Sequence, residues 1–579
     1  MKYYLDNIKK LLFITNKRLI NLLLLVFIFI FASLLELISL GLIYPYVNLV
    51  IEPNTAINSK PISYLSPLLH EKEFKNYFIY SSSILIFIFF MKTIMSIYLK
   101  WFISKFSEEH LSYLSVRLMA AYQRMNYNDY LKRDKSEYLR NLKIFTYNCL
   151  DGIKALLRIF SETLIVLVIA IYLSLLNFYA LFTFVIFISF TYFIYNSILR
   201  KKLIEYGKHK NDGEAVVFQN VTDGIRGFKE IRVLSKESFF KDLIQSGAEK
   251  ICKFQIKTNL IIFSPRHIFE LFVVLFVVFF LSISVFLGSE LNLLLPTIAV
   301  FAVAGLRLVP ACSDIMAQMS YLNYANDGIN VIFNDLKKYE SLKNTNELNT
   351  KKGNSEKFMS MELKNLNFKY SNSSSNVFEN LNFSIKRNEC IGIIGESGSG
   401  KTTLIDILLG LLQPQSGKIL INNKETKNTF LDWQNKVAYL PQDDLILDQS
   451  IRTNISLENN LDKQNLKKIN DSLKKANLDK HIESLPNSFN TKIGKNGTRL
   501  SVGQNKRVAL ARTFYHDKEV LIMDEATSSL DVKTEDNIVE QINLLKKDRT
   551  IIIITHRLST LKNCDCIYKI SNKNIAKES

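Results

Sequence analysis

Gly395 to Thr403, reading GESGSGKTT, is the stretch whose residue types and spacing carry the most chemistry. It fills a G-x-x-x-x-G-K-[ST] frame without a mismatch. Its glycines let backbone N–H groups approach a polyphosphate, Lys401 is placed for the β and γ phosphates, and Thr402 offers a hydroxyl to Mg2+. Glu396, Ser397, Gly398, Ser399, Gly400 and Thr403 complete the loop around the anion. The implied ligand is ATP or GTP.

Two later stretches fit hydrolysis rather than binding alone. Val520 to Glu525 (VLIMDE) ends an apolar run in two carboxylates. Asp524 is suited to hold Mg2+ through water, and Glu525 to polarise the attacking water. Thr550 to His556 (TIIIITH) repeats the pattern and ends in His556, within plausible reach of a γ-phosphate.

Particular elements must position these groups. Cys390 to Ile394 is a short apolar run fit for a buried parallel strand, and Thr403 to Leu412 a helix whose N-terminus faces the phosphates. From Met361 onward, β-rich runs such as Gly417 to Ile421 and Val437 to Leu440 alternate with helical stretches, an α/β pattern.

The chain has 579 residues, too many for one ordinary domain. It is 48% hydrophobic, with 40 Phe and 26 Tyr, yet its mean hydropathy is only +0.08. A very apolar part must therefore be joined to a very polar one, and the composition changes near Lys338. We read a membrane domain over 1–340, a polar linker over 341–357 and a nucleotide-binding domain over 358–579. The net charge is +19. Many basic residues flank apolar spans and no stacking-and-basic module is present, so membrane topology accounts for the charge better than nucleic acid does. The six cysteines have no framework spacing; Cys564 and Cys566 read as a strand edge in a reducing compartment.

Six apolar runs have the length of a membrane span: Leu19 to Tyr44, Tyr77 to Ile97, Ile159 to Leu176, Ala180 to Leu199, Ile268 to Leu287 and Leu291 to Leu308. The first has no small-residue cleavage site, so it is expected to be retained. Lys and Arg concentrate before it and in the loops from Lys100 to Lys154 and from Arg200 to Arg266, which puts both termini and both long loops in the cytoplasm. Within those loops, Asn126 to Glu137 and Gly227 to Glu237 are suited to docking on another domain or to plain solvation. Pro61 to Phe74 is read as an amphipathic segment on the outer surface. Helical rise places Lys92, Arg266 and Arg307 towards the cytoplasmic leaflet. They either snorkel to the interface or form a cationic patch for an anionic headgroup. Glu36 and Glu162 lie in apolar spans with no partner legible in the sequence.

At Leu500 to Gln504 the sequence reads LSVGQ, followed by Lys506, Arg507 and Ala511-Arg512. With this motif the chain resembles the ATP-binding cassette (ABC) exporters over essentially its whole length. The family order runs through Tyr370, the phosphate loop, Gln442 after Tyr439-Leu440-Pro441, LSVGQ, VLIMDE, Ser529-Leu530-Asp531 and His556. The resemblance implies an α-helical membrane domain of six transmembrane helices, type I exporter-like, fused to an α/β P-loop nucleotide-binding domain. It implies that Tyr370 stacks on adenine, that Gln442 joins Thr402 and Asp524 at Mg2+, and that Ser501, Gly503, Gln504 and Asp531 complete the ATP site. Two cassettes would sandwich two ATP molecules. One chain supplies one cassette, so a homodimer is implied, with the two docking stretches as its coupling helices.

Two positions depart from the family pattern. Val502 replaces the usual glycine of the signature motif, and its branched side chain is expected to restrict backbone approach and slow turnover. Lys495-Asn496-Gly497 stands where many exporters have Glu-Arg-Gly.

Within the family the chain is most similar to bacterial flippases for lipid-linked oligosaccharides. That similarity rests on the outer segment, on Lys92, Arg266 and Arg307, and on Leu306-Arg307-Leu308-Val309-Pro310. It implies a multi-pass protein of the cell inner membrane that moves a polyprenyl-pyrophosphate glycan among membrane lipids. Export of a peptide, a drug or a lipid A-like lipid is the competing transport reading. A soluble cassette acting on nucleic acid is opposed by the six runs, and a channel using ATP only as a switch by Glu525.

Overall fold

The computed structural model describes residues 2–15, 19–51, 74–176, isolated positions between 178 and 193, 195–286, 291–342, 356–371, 373–426, 431–458, 462–494, 497–498, 500–525 and 532–578. Contacts divide it into two units, Met1–Met125 with Leu131–Lys343 and Asn126–Tyr130 with Asn344–Ser579.

The first unit is helical: α1 (Lys2–Ile14), α2 (Leu19–Gly41), α3 (Phe74–Gln123), α4 (Thr146–Leu176), α5 (Arg200–Arg226), α6 (Phe228–Val233), α7 (Glu237–Phe286) and α8 (Leu291–Ser341). Helix α3 has 50 residues, about 75 Å at 1.5 Å per residue, more than twice a hydrocarbon core of about 30 Å. One end of it therefore projects well beyond any bilayer, as the long basic loops require. Among the described residues, four helices are long and apolar enough to cross a membrane: Leu24–Ile51, Phe74–Gln123, Lys135–Leu176 and Val300–Ser341. Residues 268–286 of the run Ile268 to Leu287 form the end of α7, whereas Leu287 and most of Ala180 to Leu199 lie outside the described residues. So do most of Pro61 to Phe74 and most of the linker.

The apolar faces of α1, α2, α3, α4 and α8 share a core that includes Leu11, Phe29, Ile103, Cys149 and Ile329. Buried charges fix its register. Arg117 grips Glu340 with two bonds of 2.6 and 2.7 Å. Arg133 grips Asp335 at 2.7 and 2.9 Å, and the Tyr122 hydroxyl donates to the same carboxylate at 2.8 Å. A bidentate guanidinium–carboxylate pair of this kind is specific in geometry as well as attractive.

The second unit holds two sheets. One is antiparallel, in the order β2-β1-β4-β5, from β1 (Ser360–Phe368), β2 (Phe378–Lys386), β4 (Ser416–Ile421) and β5 (Lys424–Glu425). The other runs β10-β9-β3-β8-β7-β6, from β3 (Cys390–Gly395), β6 (Val437–Leu440), β7 (Val520–Asp524), β8 (Thr550–Ile554), β9 (Cys566–Ser571) and β10 (Asn574–Glu578). All its pairings are parallel except β9 with β10. Strands β7 and β8 are buried at every residue, which is why VLIMD and TIIII are apolar throughout rather than alternating. Helix α9 (Lys401–Leu408) leaves the end of β3, and α10 (Val502–His516) packs under the same sheet. The segment Asn126–Tyr130 belongs to this unit, and Tyr127 packs on its core.

Candidate nucleotide site and an ion cluster within the spans

The carboxyl ends of parallel strands are where open α/β sheets bind ligands, and here they collect the predicted residues. The loop after β3 requires glycine at two positions. Gly398 and Gly400 have φ of +81° and +104°, and a Cβ on Gly400 would come within 2.9 Å of Phe378. Lys401 opens α9 and curls its ammonium back onto the carbonyls of Gly395 (2.7 Å) and Glu396 (2.8 Å). The Ser399 hydroxyl is buried without a hydrogen-bond partner among the described residues. A polyphosphate would supply acceptors to both groups, so the loop fits one. Tyr370 shares a 3.0 Å hydrogen bond with the Thr403 hydroxyl, which holds its ring beside the start of α9.

Three segments then converge. Glu525 follows β7 with a left-handed φ of 49°, a backbone strain of the kind that clusters at working sites. The Gln442 amide, two residues past β6, donates to Glu525 Oε2 at 3.1 Å. His556, two residues past β8, places Nε2 3.9 Å from Glu525 Oε1. Asp524 is buried at the end of β7, where burial and then the neighbouring Glu525 raise its carboxyl above the usual range. A divalent cation would relieve that repulsion, so the acid pair at the end of β7 fits Mg2+.

Ser501 caps α10, accepting from the Gln504 backbone at 3.2 Å, while Gln504 Oε1 accepts from the Ser501 N–H at 2.8 Å. This capping box presents the N-terminus of α10, including Gly503, to the outside. Val502 is the first residue of the helix and is 70% exposed. It does not have a positive φ, and its isopropyl group is exposed; the expected restriction on approach to a γ-phosphate concerns a nucleotide outside this chain. Asp531, Lys495 and Asn496 lie outside the described residues.

Sequence reading gave no role to Lys506, which the structure makes central. It is 2% exposed and donates to the carbonyls of Pro441 (2.7 Å) and Gln442 (3.0 Å), with Asp444 Oδ1 at 3.4 Å. Arg512, about one and two-thirds turns on, donates to the carbonyls of Asn454 and Leu445, both at 2.7 Å. Helix α10 thereby holds the loop that carries Gln442.

Residues 378–528 match the family model for the ABC transporter domain. Over those residues the C-terminal unit is similar to the ABC transporter domain. Over 235 residues the chain is 36% identical to ABC transporter B family member 14 of Arabidopsis thaliana, covering 40% of this chain and 18% of that protein. It is 38% identical over 216 residues to the alpha-hemolysin translocation ATP-binding protein HlyB of Escherichia coli, covering 37% and 30%. These alignments thus span under a third of either relative. A bacterial Atm1-family ABC exporter solved with ATP bound superposes with a TM-score of 0.75 at 18% identity, over 96% of this chain and 94% of that one. The chain therefore has the ABC exporter fold, a helical membrane domain followed by a P-loop cassette.

In the helical domain the structure corrects the idea of a three-residue cationic patch. Lys92 and Arg307 come together, but with acids: Glu36 Oε1 lies 2.7 Å from Lys92 Nζ and 3.2 Å from Arg307 Nε, and Glu162 Oε2 lies 3.2 Å from Arg307 Nη2. These are the partners that the sequence did not reveal for Glu36 and Glu162. Arg266 pairs with Glu270 on its own helix at 2.9 Å, with its side chain 66% exposed.

Proposed function

We propose that this chain is an ATP-driven exporter that works as a pair of identical chains and flips a lipid-linked oligosaccharide, a polyprenyl-pyrophosphate glycan, to the outer leaflet of a bacterial inner membrane. The ATPase half of the reading is supported by the convergence of Gln442, Glu525 and His556 beside a phosphate loop. The substrate half is supported by one observation, the charged cluster of Lys92, Arg307, Glu36 and Glu162 in otherwise apolar helices. Ionisable groups at membrane depth are costly and mark substrate paths more often than scaffolding.

Each residue has a part in the cycle. The loop from Gly395 to Thr403 wraps the triphosphate, with Lys401 on its outer phosphates. Tyr370 backs the adenine. Thr402, Gln442 and Asp524 would hold Mg2+, which would supply positive charge to the phosphates. Glu525 accepts a proton from the attacking water, Gln442 fixes the direction of that carboxylate, and His556 contacts the γ-phosphate side. The N-terminus of α10 in one copy, Ser501 to Gln504, closes over the nucleotide of the other, and Asp531 completes the junction. Closure turns the helices outward and hydrolysis resets them.

Export of a peptide is the second reading, favoured by a relative named for hemolysin translocation. Reconstituted protein, tested for ATPase stimulation by polyprenyl-pyrophosphate oligosaccharide, a peptide panel and lipid A, separates the two. Replacing Arg307 and Lys92 with Ala should depress glycolipid transport more than basal ATPase. Stimulation by peptide alone, or equal losses in both activities, would rule out the glycolipid.

A further inference from the structure

Glu36, Lys92, Glu162 and Arg307 come from four different helices, and each helix places its charge in the same layer. Counted inward at 1.5 Å per residue from Phe74, Leu176 and Leu291, Lys92, Glu162 and Arg307 lie about 27, 21 and 24 Å below the outer helix ends, and Glu36 touches two of the three. Glu36 is the pivot. Its side chain is 3% exposed, and one of its oxygens serves both cations. Glu162 is 18% exposed and reaches Arg307 from the other side. Two cations and two carboxylates sum to zero.

A neutral buried cluster is a poor receptor for an anion. In a low-dielectric layer, a phosphate added beside two ionised carboxylates would leave the site strongly negative, at a large electrostatic cost. A phosphate can engage Lys92 and Arg307 only by taking the place that a carboxylate now holds. The two ligands compete for the same ion-pair contacts.

We propose that Glu36, backed by Glu162, is a built-in competitor for the headgroup at this site and thereby determines which lipids are taken. A headgroup with several charges, a phosphate monoester or diphosphate, offers Lys92 and Arg307 more than Glu36 does and displaces it. A headgroup with a single delocalised charge, as on the phosphodiester lipids of the bulk bilayer, does not. Return of Glu36 after reorientation expels the headgroup. The proposal rests on the reading of this chain as a transporter of an anionic lipid and adds the residue that keeps the abundant lipids out.

The test uses the full chain in nanodiscs of phosphatidylcholine with its nucleotide sites saturated by ADP. Prenyl diphosphate, phosphatidylglycerol and inorganic pyrophosphate are titrated against the wild type, E36Q, E162Q and E36D, with melting temperature as the control for folding. E36Q should bind prenyl diphosphate roughly tenfold more tightly, the low end of couplings between close charge pairs, and should begin to bind phosphatidylglycerol. E36D, which keeps the charge, should stay near wild type. Tightening for prenyl diphosphate alone assigns a lipid headgroup, and tightening for pyrophosphate as well assigns phosphate anions in general; both support the competitor. Unchanged or weaker binding in both E36Q and E162Q overturns it, and so does failure of both variants to fold, since the cluster would then be a staple between helices. Should E36Q tighten while no glycan is transported, only the proposed substrate falls; should glycan be transported while E36Q is unchanged, only the competitor does.

Discussion

The Gln442 amide donates to the Glu525 carboxylate at 3.1 Å across 83 residues of sequence. A glutamine at 525 can keep that contact, because an amide oxygen accepts as a carboxylate oxygen does, but it has lost its capacity to accept a proton from water. Glu525→Gln is therefore expected to lower ATP hydrolysis by about two to four orders of magnitude, the usual share of a general base, while ATP affinity and melting temperature stay close to wild type. Phosphate release and nucleotide titration measure the two sides. Hydrolysis that persists would remove Glu525 as the base.

Lys506→Met strips two backbone carbonyls and Asp444 of their cation in a site that is 2% exposed. Removing one partner of a buried pair costs about 3–5 kcal/mol, so the cassette should melt markedly lower and lose turnover as the Gln442 loop shifts. The pH dependence follows from Asp444. Burial already raises its carboxyl above the usual range, and Lys506 opposes that rise. Without Lys506 the folded value climbs further, so ionisation of Asp444 penalises the fold more. The deficit should be larger at pH 8 than at pH 5, and a deficit independent of pH would place the loss in the carbonyl contacts alone.

Val502 stands exposed at the first turn of α10 with no left-handed backbone to relieve. Val502→Gly should thus change stability by no more than about 0.5 kcal/mol, the small propensity difference between the two residues. If the isopropyl group obstructs a nucleotide held by a second copy, the same change should raise kcat severalfold. An unaltered kcat would show that the side chain is accommodated.

What could be read from the chain before its fold divides along contact distance. The phosphate loop, the acid pair after β7 and His556 after β8 are local patterns, each set by one strand and the turn that follows it, and the sequence carries that in consecutive residues. Lys506 meets its partners 64 and 65 residues away, and nothing in the run LSVGQNKR says which side of α10 will be buried. The ion cluster was illegible for a related reason. Hydropathy reports that a helix is apolar without reporting its rotation, so Lys92 and Arg307 read as free cations until Glu36 and Glu162 were seen to face them. Arg266, similar in composition and depth, faces solvent and its own helix instead.

Asp406, on the buried side of α9, gives a stability prediction with a definite sign. Burial first, and the charge of Asp524 second, push its carboxyl up to about 6 from an ordinary 3.8. Below the lower value the group is protonated in both folded and unfolded chains and contributes nothing. Between the two values the unfolded chain ionises while the folded chain resists, so stability falls as pH rises through that window, and above it the full penalty is present. Asp406→Asn is neutral at every pH. It should stabilise the cassette at pH 7.5 by about 1–2 kcal/mol, discounted for solvent screening from the roughly 3 kcal/mol that a rise from 3.8 to about 6 would give, and should lose that advantage near pH 4. Melting temperatures of both proteins across this range decide the matter. Parallel curves would mean that Asp406 is ionised in the fold at neutral pH and is held by a partner rather than tolerated against its burial.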